Sequence, residues 1–348
     1  MKAASCFLAG ALAAAALPGA GIASAESFAA FAPAAPGNGF AESLDRVLEA
    51  ERLPVIAIGD AVLSAGENVP EPPQVKRPRT LWIGVVSALA IGGSYYNARS
   101  DGPQYPFHVT KEGWFGQNTY TGGADKASHF VSYYIVAKLL GGVNAELGMS
   151  KDSAALLGAG ISVLAGLATE IGDGTNKYGF SYEDLLTDSL GAATALGIAH
   201  YGLNDLIGFR AGLVPAPTAV CCPYGGTGKD YTAEIYTGDL KIAGLGARAK
   251  FNPGPARFLL VSVSYGSKGY PYADPLVRER QVGFEVGLNF GEILKAIGVP
   301  PEKWWGKILY FGFDVIRLPY TQLGMYYDLN NGKWHGPGIG DSWPGGGQ

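Results

Sequence analysis

Two hydrophobic periods divide this chain. Between about Leu81 and Leu206, apolar residues run in long blocks broken by few polar positions; from Asp230 onward they alternate one by one. The block from Leu81 to Tyr96 is apolar on all sides, the pattern of a helix buried on every face or set in lipid. Three more helices are expected, from about Lys126 to Leu140, Ser153 to Ile171 and Tyr182 to Leu206. Asp125 is placed to start the second helix and Ser150 or Asp152 the third. Ser181 with Asp184 three residues on resembles a capping box with Asp in place of Glu. Gly158, Gly160 and Gly166 weaken the third helix but permit neighbours to approach closely.

In the later part, Val282, Phe284, Val286, Leu288 and Phe290 share one strand face, opposite Gln281, Gly283, Glu285, Gly287 and Asn289. Leu259, Val261, Val263 and Tyr265 repeat this pattern, as do Leu309, Phe311, Phe313 and Val315. With segments 231–236 and 240–250 the reading is about five strands, joined by turns such as Asn252-Pro-Gly-Pro255. Five strands cannot close a barrel, which takes about eight. The apolar face is therefore expected to meet the helices, with another subunit or lipid as alternatives. Glu292 to Ile297 reads as a short amphipathic helix or turn; Trp304-Trp305 either cover one end of the sheet or sit at a membrane interface. The fold class is α+β: an apolar four-helix unit (80–210) followed by an antiparallel β-meander (228–330) packed against it.

The ends carry different signals. Lys2, an apolar run from Phe7 to Leu17 and Ala23-Ser24-Ala25 together read as a secretory signal over residues 1–25. Cys6 lies inside the apolar run and is not placed like a lipid-attachment cysteine. Residues 26–79 are rich in Ala and Pro, with a short amphipathic helix between Phe40 and Leu63 and an extended linker from Ser64 to Arg79; residues 336–348 form a Gly-rich, flexible tail. Cys221 and Cys222 are adjacent, with no CxxC spacing and no disulfide framework, so their reading is structural or incidental. Charged residues are only 16% of the chain, against about 25% in a typical soluble domain. The net charge of -4 and the lack of a basic cluster exclude nucleic acid as a partner.

Against this apolar background the second helix opens with Asp125-Lys126 and carries His129, the third ends near Glu170, and the fourth begins with Asp184 and Asp188. Charges inside apolar helices are costly unless they pair or do chemistry. If successive helices run antiparallel, the starts of the second and fourth and the end of the third lie at one end of the bundle. Two readings of these six residues stand open. In one, Asp125 caps, Lys126 neutralises carboxylates, His129 bonds Glu170, Asp184 closes the capping box and Asp188 ties helices together. In the other they form a catalytic site, with His129 as general base or metal ligand and Glu170 and Asp188 beside it. No HExxH, CxxC or GxSxG pattern assigns a cofactor or a metal. Glu146, Asp173 and Glu183 flank loops and read as solvated; His108, His200 and His335 are isolated.

Asp125-Lys126-x-x-His129-Phe130, then Glu170, then Ser181-x-x-Asp184-x-x-x-Asp188-x-x-Gly191 resembles the YfiM-type family of predicted periplasmic lipoproteins, a domain of unknown function. More distantly it is similar to the VanZ-like membrane proteins. The resemblance covers Trp114 to Tyr201; where the family pattern has Asn, this chain has Asp188, which adds a carboxylate. It implies a cell-envelope setting and no defined activity. The expectation is an exported protein of the periplasm or outer membrane, with membrane lipid or an envelope component as partner. The alternative is a membrane-proximal hydrolase or transferase acting on a lipid or glycan.

Overall fold

The computed structural model describes residues 77–213, 231, 234–270 and 278–339. Residues 1–25, read as a secretory signal, the Ala/Pro-rich stretch up to Lys76, Cys221 with Cys222, and the last nine residues of the Gly-rich tail lie outside these. Four long helices come first: α1 (Arg77–Arg99), α2 (Ala124–Glu146), α3 (Lys151–Asp173) and α4 (Tyr182–His200). α1 begins inside the stretch read as linker, with Pro78 in its first turn, where a missing N–H costs nothing. α4 stops at His200, short of Leu206, because the next strand starts at Ile207.

The remaining elements are β1 (Ile207–Leu213), β2 (Glu234–Lys241), α5 (Ile242–Ala249), β3 (Leu259–Lys268), β4 (Glu279–Leu288), α6 (Phe290–Ala296), α7 (Trp304–Val315), β5 (Ile316–Arg317), β6 (Gln322–Asp328) and β7 (Lys333–Ile339). They form one sheet in the order β5-β1-β2-β3-β4-β6-β7, antiparallel except where β5 runs parallel to β1. Two segments expected as strands are helical. Residues 242–249 form α5, and Leu309, Phe311, Phe313 and Val315 lie on α7. In Ile308-Leu-Tyr-Phe-Gly-Phe313 nearly every position is apolar, so the apparent alternation carried no period at all. The strand pattern runs on through Gly336 to Ile339, the start of the expected tail.

Helix packing is close where glycine allows it. A Cβ on Gly191 of α4 would sit 2.1 Å from the Phe130 carbonyl oxygen of α2, and one on Gly158 of α3 would come within 2.5 Å of the Gly141 nitrogen; Gly160 faces open space. The main core joins Val131, Tyr134 and Ile135 of α2 and Ala192, Ala195 and Ile198 of α4 to Tyr236 of β2 and Val315 of α7. Phe209 of β1 meets Phe130 and Tyr134 edge-on, at 5.1 and 5.2 Å between centroids. Asp314 accepts from both Lys138 and Lys241, fastening α7 to α2 and β2.

Strand register shows which face does what. The rung Phe209–Gly238–Val263–Phe284–Met325 and its neighbours Ile207–Leu240–Val261–Val286–Leu323 and Ala211–Tyr236–Tyr265–Val282–Tyr327 share one face and contain no charge. This is the face that meets the bundle, but α2 covers it only at β1, β2 and the end of β3. Over β3, β4 and β6 it is open: Val263, Phe284 and Leu323 are 52%, 55% and 56% exposed. The expectation that helices cover the apolar face therefore holds for one side of the sheet and fails for the rest.

The opposite face is polar and buried. Arg210 forks onto Asp239 through Nε (2.5 Å) and Nη2 (3.0 Å), and Ser262 donates to the same carboxylate at 2.6 Å. Arg317 reaches Glu285 (Nε to Oε2, 3.2 Å), which also accepts from Tyr326 at 3.0 Å. Thr237, Ser264, Gln281 and Gln322 complete the lining, all buried. Arg317 is on β5 and Glu285 on β4, four strand steps apart in the sheet order. A flat sheet would hold them about 19 Å apart at about 4.8 Å per step. Their contact shows that the sheet curls, with the polar face inside.

Arg210→Met should destabilise the chain by about 3–5 kcal/mol in chemical unfolding, because Asp239 is left buried and unpaired. The double variant Arg210→Met/Asp239→Leu should lose less than the single one. A single variant within about 0.5 kcal/mol of the parent would show that the pair is not buried as described.

Candidate functional site

α2 enters the cluster abruptly. Its N-cap position is Gly123, at φ 97°, a conformation glycine takes without strain, and glycine has no side chain with which to cap. Asp125 is therefore not the cap; its N–H donates to Thr121 Oγ1 (3.1 Å) and its carboxylate turns inward to Lys126. α3 does start on Ser150, which accepts from the Ser153 N–H (3.2 Å). Ser181 likewise accepts from the Asp184 N–H (3.3 Å). The reciprocal half of that capping box comes from elsewhere: the Ser181 N–H donates to Glu170 Oε2 of α3 at 2.9 Å. Asp184 is thereby released to face α2.

All six residues singled out in the sequence converge at one end of the bundle, in two halves. In the first half, the ammonium of Lys126, 2% exposed, donates to Glu112 (2.6 Å), Asp184 (2.5 Å) and Asp125 (3.2 Å). Asp125 also accepts from Tyr231, which lies just before β2. In the second half, His129 Nδ1 pairs with Asp188 Oδ1 at 2.8 Å, while its Nε2 lies 3.8 Å from Asp125 Oδ1. The expected partner of His129 was Glu170; the hydrogen bond goes to Asp188 instead. Asp188 is fully buried against Gly166, where a Cβ would come within 2.6 Å of Oδ2. The His129 ring stacks on Tyr133, which shares a hydrogen bond with Thr169 at 2.6 Å.

The electrostatics follow from an excess of carboxylates. Lys126 stays charged: burial opposes it, but Asp125, Asp184 and Glu112 raise its pKa further. One ammonium cannot hold three carboxylates ionised, so Glu112, pushed up by burial and by Asp125 and Asp184, rises to about 8. Burial would lower His129, yet Asp184, Asp188 and Asp125 outweigh it and hold the imidazole well above its ordinary range. Burial lifts Asp188 to about 6 against the opposing pull of His129. Glu170 is raised by burial and by Asp184 and Asp188, with His129 opposing.

Glu112, Tyr120, Asp125, His129, Glu170, Asp173, Tyr178, Gly179 and Asp184 line a small pocket at this end of the bundle. Two donor triads are compact enough to hold a metal, Asp125–His129–Asp184 and His129–Glu170–Asp188, each with its atoms within 4.8 Å of one another. Sequence reasoning missed Glu112 and Tyr231. Glu112 is one carboxylate in an aromatic, Gly-rich loop, and Tyr231 is 106 positions from Asp125, so no local period pointed to either. Asp173 and Glu183, read as solvated, are buried. Asn176 joins Asp173 to the Ala98 carbonyl of α1, and Glu183 accepts from Ser181. Glu146 is exposed and pairs with Lys307.

Residues 111–199 match the model of a family described as Predicted periplasmic lipoprotein (DUF2279), about a quarter of the chain and the part that holds the whole cluster except Tyr231. That description agrees with an exported protein of the periplasm or outer membrane. No curated protein and no solved structure matches the chain.

Lys126→Ala should cost about 3–5 kcal/mol of stability, since three buried carboxylates lose their counter-charge. Glu112 binds its proton more tightly folded than unfolded, so the stability it contributes is complete below about pH 4.5 and falls as pH rises to about 8. Glu112→Gln should therefore flatten the decline in melting temperature between pH 5 and 9 and stabilise the chain at the upper end. A variant whose profile runs parallel to the parent's would rule this out.

Proposed function

We propose that this chain is an outer-membrane-associated envelope protein that meets lipid through the open part of its sheet, with the Lys126 half of the cluster as the lock that fixes its helical unit. The observation that carries the reading is the inversion of the sheet. A sheet in water buries its apolar face and shows its polar one. Here Arg210, Asp239, Glu285 and Arg317 are inside, while Val261, Val263, Phe284, Val286, Leu323 and Met325 look outward. In hydrocarbon this is the satisfied arrangement: the buried charges Arg210, Asp239, Glu285 and Arg317 are paired internally and the outer rungs carry no charge. A protein partner would leave a different signature, an apolar centre with a polar rim. The uncharged zone from Leu288 to Val282 covers about 20 Å along the strand at about 3.3 Å per residue.

The rest of the molecule is in keeping with that setting. Trp304, Trp305 and Trp334 are exposed, as are Leu156 and Leu164 of α3 and Leu186 and Leu190 of α4. Exposed Trp at the start of α7 supports the interface option over a cover for the sheet. Among the described residues one helix, Lys151–Asp173, is long and apolar enough to cross a membrane; half of it is buried, and it carries Glu170 and Asp173 into the cluster, which supports a place within the bundle. The order of Asp-Lys-x-x-His, Glu and Asp that resembles YfiM-type and VanZ-like proteins also supports an envelope setting. The alternative, a hydrolase or transferase with His129 as base, has the pocket in its favour.

The test is flotation of the full chain with phosphatidylethanolamine/phosphatidylglycerol vesicles, combined with quenching of tryptophan fluorescence by lipids brominated on their acyl chains. The parent should float and be quenched, and Trp334→Phe should remove part of that quenching. Val263→Asp/Phe284→Asp should cut flotation at least tenfold with the circular dichroism unchanged. Vesicle-free protein that remains soluble as a dimer, or a double variant that floats like the parent, would overturn the reading.

A further inference from the structure

The two halves of the cluster are not equivalent. The Lys126 half already contains its cation, an ammonium at hydrogen-bond distance from Glu112, Asp125 and Asp184. Among the described residues, the His129 half contains no lysine or arginine. It gathers an imidazole and two carboxylates, from three different helices, with only the imidazole proton between them. Glu170 is 1% exposed and spends Oε2 on the Ser181 N–H, leaving Oε1 without a hydrogen-bond partner while the residue lines the pocket. An unpaired carboxylate oxygen at that depth is costly unless something positive meets it.

We infer that His129, Glu170 and Asp188 form a divalent transition-metal centre of the zinc type, open to the pocket at its remaining position. Three lines lead there. First, one nitrogen and two carboxylate oxygens are a donor set suited to Zn2+ and its neighbours, whereas Ca2+ and Mg2+ take oxygen alone. Second, the donors lie within 4.8 Å of one another. Bonds of about 2.0–2.1 Å in a tetrahedral site bring ligands to about 3.3 Å apart, so closure asks about 1.5 Å at most of any pair. Third, the competing triad, Asp125–His129–Asp184, has two of its carboxylates already held by Lys126.

The surroundings are those of a supported centre. Asp188 is held in place by the wall that Gly166 leaves open to it, and Glu170 by the Ser181 amide. Asp125, 3.8 Å from His129 Nε2 and anchored by Tyr231, is positioned to orient the ring without itself ligating. Binding forms bonds from the metal to one imidazole nitrogen of His129 and to a carboxylate oxygen each of Glu170 and Asp188, and any proton held on those atoms leaves to solvent.

The experiment uses the full chain, purified in detergent, stripped with chelator and titrated with Co2+ and then Zn2+. The expected result is one ion per chain, Co2+ absorption bands of a low-coordinate site, displacement of Co2+ by Zn2+, and a rise in melting temperature with either ion. Glu170→Gln and Asp188→Asn should each weaken binding at least tenfold. Asp188→Asn keeps an acceptor for the His129 N–H, so it provides a folded variant should Glu170→Gln not fold. Glu146→Gln, exposed at the far end of α2 and paired with Lys307, should bind as the parent does. No stoichiometric ion, binding of Ca2+ in preference to Zn2+, or binding that survives both ligand variants but is lost in Asp184→Asn would overturn the assignment. None of these readouts depends on lipid, so the centre and the membrane reading stand or fall separately.

Discussion

A single buried ammonium holds the helical unit in register. Lys126 is placed by the first turn of α2, yet its partners come from the preceding loop, from its own neighbour and from the start of α4. Withdrawing that charge from water is affordable only because three carboxylates surround it, and each of those is in turn costly to bury without it. The mutual dependence explains why the loop carrying Glu112 and the start of α4 are fixed against α2; the end of α3 is tied in separately, through Glu170 and the Ser181 amide. Tyr231 extends the same network to the threshold of the sheet by donating to Asp125.

The sheet obeys the same rule by a different route. Its charges are inside the curl, where Arg210 with Asp239 and Arg317 with Glu285 neutralise each other, and its apolar rungs are outside. α2 takes up one side of that outer face through Phe209, Ala211 and Tyr236, so helices and sheet share an interface without closing it off. What remains open is an uncharged surface of apolar side chains. Bundle and sheet thus both bury charge in pairs and both present apolar side chains outward.

The polar cluster shows how far local pattern carries. The spacing of Asp125 and His129, the position of Glu170 near a helix end and the pair Asp184 and Asp188 placed six groups at one end of a bundle by chain direction alone. Their partners were another matter. Whether His129 turns to Glu170 or to Asp188 is settled between helices, where Asp188 packs against Gly166 within 2.8 Å of the ring. The strands show the same limit. β3 and β4 were legible because apolar and polar positions alternate cleanly, whereas α7 was misread because a nearly unbroken apolar run has no period. β6 and β7 went unread because Gly, Tyr, Pro and His dilute their alternation.

The amino-acid sequence by itself determined the α+β class, the four long helices, the alternation of β3 and β4 and the six residues of the cluster, since each follows from spacing along one segment. Only the tertiary structure decided which face of the sheet is inside. Alternation names two faces but not their surroundings, and the curl that brings Arg317 to Glu285 joins strands that are distant in the sheet. It also brought Glu112 and Tyr231 to the cluster and divided that cluster into a half holding an ammonium and a half with an unpaired carboxylate oxygen. Those outcomes turn on contacts between remote segments, where burial raises the cost of an unmatched charge.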